Sequence, residues 1–301
     1  MAKPTYGGQA VIEGVMMRGQ REMAVAVRDP SGNIIIQAET LSGFVYTSKW
    51  AKLPFIRGAV SMWDMLVLGV RMLLFSANVA AAEEAVEMTP KMLWGTLAVA
   101  LIMATALFFV LPVVLVGAVD QFISSPFLSN VVEKVIRLGI LIGYIGGVGL
   151  FPDVRRVFAY HGAEHKAVNA YEDSAPLEVS VVSEYSTAHP RCGTSFLLIV
   201  ILVSFLFFTL LGRPPMEVRI ASRILLIPVV AAVAYELIKL GGAHRNNPLV
   251  KILLAPGMAL QSLTTREPTS DQVEVAIAAL QRVLAAEQEH SLEEQQVGTP
   301  A

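Results

Sequence analysis

The stretch MLWGTLAVALIMATALFFVLPVVLVGAV, Met92 to Val119, decides the fold. It carries no charge and exceeds the ~20 residues that the hydrocarbon core of a bilayer requires. Three more runs downstream read the same way. Val135 to Phe151 has one arginine near its start, and its Gly139, Gly143 and Gly147 stand four apart, a small-residue face that lets helix backbones approach closely. Thr194 to Gly212 is uniformly apolar. Ile220 to Leu240 is apolar except for Arg223 at one end and Glu236 and Lys239 at the other, with Pro228 expected to kink it. A shorter run, Leu249 to Leu263, is interrupted by Pro256-Gly257 and reads as re-entrant or interfacial.

Composition agrees with a bilayer as solvent. The chain has 301 residues, 54% hydrophobic and 16% charged, with a mean hydropathy of +0.57. Soluble domains average about 45–50% apolar and about 25% charged. A disordered tail protein, a disulfide scaffold and an ordinary cytosolic enzyme are excluded. The formal net charge of −2 supplies no basic field for nucleic acid. Cys192, the single cysteine, has no partner for an internal disulfide.

Before the first span, Pro54 to Ala80 is apolar but carries Arg57, Asp64, Arg71 and Asn78 at seven-residue intervals. Seven residues are two helical turns less about 20°, so these four form one narrow polar stripe. Such a helix lies in the interface or packs its stripe against protein. Further upstream, Met23–Val27 and Ile34–Glu39 flank Asp29-Pro30-Ser31-Gly32-Asn33, a turn composition, and predict a small β-hairpin that needs a packing partner. The opening MAKPTYGGQA lacks the apolar core of a cleavable signal peptide. At the other end, Thr269 to Gln272 forms a capping box before Val273, Ile277, Leu280 and Leu284, so an amphipathic helix to about Glu289 is expected, followed by a frayed tail.

The expected fold is mainly α, a multipass helical membrane protein of about four spans with an N-terminal β-hairpin element and a C-terminal amphipathic helix. Its segments are 1–53 (cytoplasmic β element), 54–91 (interfacial or bundle helix), 92–151 (two spans), 152–193 (cytoplasmic His/Glu/Cys loop), 194–241 (two spans) and 242–301 (interfacial segment and final helix). Four spans place eighteen of the 23 Lys and Arg residues on the side of both termini and the 152–193 loop, which the positive-inside rule makes cytoplasmic. Arg213, Arg219 and Arg223 are the exception, in the second outer loop.

The 152–193 loop holds the chemistry. His161-Gly162-Ala163-Glu164-His165 is H-x-x-E-H, the reversed zincin order. On a helix, the two imidazoles sit one turn apart and can reach one divalent cation such as zinc, while Glu164 can act as base toward water. Glu172 lies seven beyond His165 on the same face, and His189-Pro190-Arg191-Cys192 follows. In a catalytic arrangement, Glu172, His189 or Glu236 adds the third ligand and water keeps an open position. In a structural one, His161, His165, His189 and Cys192 close the site. Simpler roles are also open: the histidines can bond Glu164, Glu172 or Glu184, Cys192 can be a small buried apolar residue, and Glu236 can pair with Lys239 or Arg245. A thiol–imidazole pair would set His189 against Cys192. In the glycine-rich run Gly7 to Gly19, Glu13 and Arg18 can pair or meet a ligand, though the run is neither a Walker loop nor a dinucleotide fingerprint.

Taken together, GGQAVIEGVMMRG at 7–19, PFIRG at 54–58, HGAEHKAVNAYE at 161–172, HPRCGTSF at 189–196 and LTTREP at 263–268 resemble the YqhQ-like bacterial family, domain of unknown function 1385, across roughly Pro4 to Leu284. The resemblance implies a multipass inner-membrane protein, predicted to be a metal-dependent enzyme, without a settled substrate. Three function classes follow. A hydrolase would use the metal at the cytoplasmic face with Glu164 as base. A non-catalytic scaffold or assembly factor would use a structural His/Cys site and would bind membrane-protein partners through the striped helix and the tail helix. A transporter needs polar residues along the spans, where only Glu236 and the stripe are apparent.

Overall fold

A computed structural model describes residues 6–42, 46, 53–81, 90–212, 214–243 and 247–297. Arg213 and Arg245 lie outside the described residues.

The expected hairpin is half of a four-stranded antiparallel meander. β1 (Gly7–Val11), β2 (Gly14–Arg18), β3 (Glu22–Arg28) and β4 (Ile34–Thr40) lie in that order. The Asp29–Asn33 turn forms as its composition predicts, with the Asn33 amide donating to Asp29 Oδ1 at 2.8 Å. The glycine-rich run supplies the other two strands, closed by a two-residue turn at Ile12-Glu13, where Glu13 takes φ +52°. Residues 23 to 27 of β3 are wholly buried because both faces of the sheet are covered.

α1 (Ile56–Ala80) covers one face, with Leu68 and Met72 packed on Val11, Met16, Met23, Val25 and Val27. Its polar stripe is spent within the chain. Arg57 pairs with Glu236, Arg18 with Asp64 at 3.0 Å, and Arg71 with Glu39 at 3.0 Å. Glu236 is therefore held by Arg57, with Arg245, one of the two partners expected for it, outside the described residues, and Arg18 meets Asp64 instead of Glu13.

α2 (Pro90–Thr105) continues through a π-turn, Ala106–Val110, into α3 (Leu111–Val119). α4 (Pro126–Val148) then bends by 102° into α5 (Pro152–Glu172), which leaves the bundle and packs beneath the sheet. A short helix, α6 (Val179–Val182), precedes α7 (Gly193–Leu210). The run expected as one kinked span is two helices, α8 (Met216–Leu225) and α9 (Ile227–Ala243), bent by 47° beside Pro228. α10 (Pro248–Thr264) is a continuous helix in spite of Pro256. Three helices among the described residues are long and apolar enough to cross a membrane, or five if each bent pair counts as one span.

α11 (Ser270–Val297) starts at the expected capping box, where the Thr269 amide donates to Gln272 Oε1 at 3.0 Å. It runs beyond Glu289, and it is no free tail. Val273, Val275, Ala276, Ala279, Leu280 and Val283 are fully buried against α5 and the second sheet face.

Two features of the spans go beyond the helix-by-helix reading. The glycine face of α4 meets no described neighbour: a Cβ at Gly139, Gly143 or Gly147 would meet no atom within 4 Å among the described residues. The bundle interior is also far from apolar. Glu133 of α4, with no exposed side-chain surface, accepts from Lys134, Arg137, Arg219 and Arg223 at 2.9–3.3 Å. Asp120 takes a second bond from Arg219 at 2.6 Å. The arginines expected in an outer loop thus turn inward, because a shared carboxylate offsets the cost of burying them.

Candidate metal centre

α5 begins at Phe151-Pro152, where the proline at the first helical position needs no amide partner. Its inner face is built from Ala159, Gly162, Ala163, Ala167 and Ala170. These small residues let the sheet and α11 close on it. Gly162 is required: a Cβ there would strike the Arg266 carbonyl. That close approach places the Thr264 carbonyl 2.9 Å from His161 Nδ1.

The second histidine is held in the same way, with His165 Nδ1 2.6 Å from the Thr187 carbonyl. A carbonyl only accepts, so each Nδ1 carries a proton, and in the neutral ring that metal binding requires Nε2 offers the lone pair. This is the support that metal-ligating histidines use. Cys192, 7% exposed, caps α7 with its sulfur accepting from the Thr194 amide, and Sγ stands 3.3 Å from His161 Nε2. One donor atom each from His161, His165 and Cys192 lies within 4.8 Å of the other two, the only such group among the described residues. The Glu164 carboxylate, 5% exposed, stands 3.5 Å from His165 Nε2. The donor set is one that zinc accepts: two imidazoles and a sulfur, with a carboxylate at the edge.

The other expected ligands stand around this group. His189 is clamped by Gln261, which accepts from its amide at 3.0 Å and donates to its carbonyl at 2.8 Å. Its buried Nε2 has no hydrogen-bond partner among the described residues. It lies 3.7 Å from Glu172, and its ring centre is 5.7 Å from that of His165. Glu172 is bound to Arg191, and the His189 ring with the Arg191 guanidinium holds its carboxyl down to about 2. Cys192 faces His161 and not His189, so the expected thiol–imidazole pair involves the other histidine. Glu236 is engaged by Arg57 and the Phe55 amide. Glu13 bonds Arg156 and, at 3.2 Å, the Tyr160 hydroxyl, whose proton is held more tightly than usual by burial and by the Glu13 charge.

Sequence reasoning missed Thr187, Thr264 and Gln261. The first two act through backbone carbonyls, which no side chain advertises. Gln261 carried a faint signal, as a lone amide at the end of an apolar run.

The fold and this cluster define a class: a multipass helical membrane protein whose His, Cys and Glu side chains gather under a small sheet-and-helix layer. The family model for a protein of unknown function, DUF1385, matches residues 53–286. The chain is also 34% identical over 297 residues to the uncharacterized protein YqhQ of Bacillus subtilis (strain 168), covering 94% of this chain and 93% of that relative. The chain belongs to the DUF1385, YqhQ-like family. No solved structure matches it.

Proposed function

We propose that the protein is a metal-dependent hydrolase working at the cytoplasmic face of the cytoplasmic membrane. The observation that carries this reading is the convergence of two Nε2 atoms and one thiol sulfur, each imidazole fixed by a backbone carbonyl, with Glu164 beside them. His161, His165 and Cys192 hold the cation, and zinc suits these donors. When bound, the cation supplies Lewis-acid polarisation of a carbonyl oxygen. Glu164 takes a proton from the attacking water and returns it to the leaving group. Buried against β1, where a Cβ at Gly8 would strike its side chain, Glu164 has little freedom to swing away. The substrate class is an amide or ester of a peptide or lipid near the bilayer surface.

The location rests on charge. Residues 1–91, 152–193 and the tail after Val233 carry eighteen of the 23 Lys and Arg residues. Of the five on the opposite side, Lys134, Arg137, Arg219 and Arg223 are buried on Glu133 or its neighbours, which removes them from the outer surface.

A structural role for the site has one observation in its favour, the buried Nε2 of His189, which has no hydrogen-bond partner among the described residues and would close the shell. A scaffold that binds through the polar stripe or the apolar face of the final helix loses support, because Arg57, Asp64 and Arg71 of the stripe and that apolar face are engaged within the chain. Cobalt substitution separates the readings. An open site shifts its visible bands when acetohydroxamate or azide is added, and a closed site does not. A spectrum unmoved by both ligands contradicts the hydrolase.

A further inference from the structure

Between the Ala106–Val110 turn, α4, α7 and α9 lies a cavity of about 630 Å³, inside the range of about 300–1,000 Å³ typical of small-ligand sites. Its walls are apolar almost throughout, including Leu141, Ile145, Val200 and Ile201, but one end is made by Arg137 and Arg223. Arg137 is the middle residue of α4, about 16 Å from either end of that helix by helical rise.

The ionic cluster at that end does not balance. Lys134, Arg137, Arg219 and Arg223 face two carboxylates, Glu133 and Asp120, among the described residues. The guanidiniums of Arg137, Arg219 and Arg223 alone outnumber the two carboxylates. Arg137 is 5% exposed, lines the cavity, and its Nε has no hydrogen-bond partner among the described residues. A buried cationic excess at the end of an apolar chamber calls for an anion that brings its own hydrocarbon.

We propose that this cavity binds a single-chain amphiphile with an anionic headgroup. The headgroup sits against Arg137 and Arg223, and the alkyl chain runs along Leu141, Ile145, Val200 and Ile201. The cavity volume suits one chain rather than a two-chain lipid. This site is independent of the metal centre and stands whether or not a cation binds there.

The test is native mass spectrometry of the full-length protein released from a neutral maltoside detergent. Four probes are offered: hexadecanoate, hexadecyl phosphate, hexadecanol and acetate. The proposal expects one hexadecanoate or hexadecyl phosphate per chain, retained about tenfold or more over hexadecanol, with no retention of acetate. Whichever acid is held more tightly identifies a carboxylate or a phosphate source. Arg137→Gln should abolish the preference for acid over alcohol. Ile201→Trp, which fills the chamber and leaves every cation in place, should lower retention of both acids. Equal retention of acid and alcohol by the unaltered protein overturns the proposal, as does unchanged binding in a folded Ile201→Trp variant.

Discussion

His161 Nε2 stands 3.3 Å from the sulfur of Cys192, 31 residues further along the chain. The contact joins the middle of α5 to the first residue of the α7 cap. It exists because Gly162 lets the α10–α11 connection lie against α5, fixing the ring from behind through the Thr264 carbonyl.

Gly162→Ala should therefore act at a distance from the donors. Its methyl group meets the Arg266 carbonyl and moves the Thr264 carbonyl off His161. Loss of such a supporting bond typically costs about 10–100-fold in metal affinity. Competition with a coloured chelator measures it. A variant that folds and binds zinc as the parent does would show that the carbonyl is incidental.

Glu13 makes an ordered pair of variants informative. Its φ of +52° is a left-handed conformation that costs a side chain about 1 kcal/mol or more. Both Glu13→Ala and Glu13→Gly lose the contacts to Arg156 and Tyr160. Only glycine relieves the backbone, so Glu13→Gly should be the more stable of the two by about 1 kcal/mol. Thermal unfolding in detergent decides the order.

Glu133 should be the most sensitive position in the bundle. Removing its charge leaves Lys134, Arg137 and Arg223 without their shared carboxylate and Arg219 with Asp120 alone, whereas Arg219→Gln leaves Glu133 with three cationic partners. Glu133→Gln is expected to destabilise by about 3–5 kcal/mol and Arg219→Gln by clearly less. Size-exclusion profiles and unfolding temperatures of the two variants, compared side by side, test the ranking.

The α1 stripe predicts a charge exchange. Arg57→Glu places two carboxylates together at Glu236 and should reduce folded yield. Arg57→Glu combined with Glu236→Arg restores opposite charges across the same contact. Recovery in the double variant, read as monodisperse protein per cell mass, is the expected result.

Local pattern made much of this readable. H-x-x-E-H on a helix puts two imidazoles on one face whatever the rest of the fold does. The Asp29–Asn33 turn and the Thr269–Gln272 cap are equally local, and both formed where their residues stood. The third donor was open among several residues, because the docking of α7 against α5 decides it and no spacing encodes that. β1 and β2 were hidden by Gly7, Gly8, Gly14 and Gly19, which erase the apolar alternation by which a strand is recognised. The glycine triplet of α4 permits close packing, and no described element of this chain supplies the partner. The cations on Glu133 were visible as letters, yet a helix-by-helix reading assigns them to span ends, and only the tertiary arrangement brings α4 and α8 together around one carboxylate.

The most direct measurement is the metal content of the detergent-purified protein by plasma mass spectrometry. It is made after chelator-free purification with zinc offered back, beside a His161→Ala/His165→Ala variant and Cys192→Ser. The account predicts about one zinc per chain, lost in the double variant and weakened in Cys192→Ser. No zinc in the parent protein, or the same zinc in a folded double variant, contradicts it.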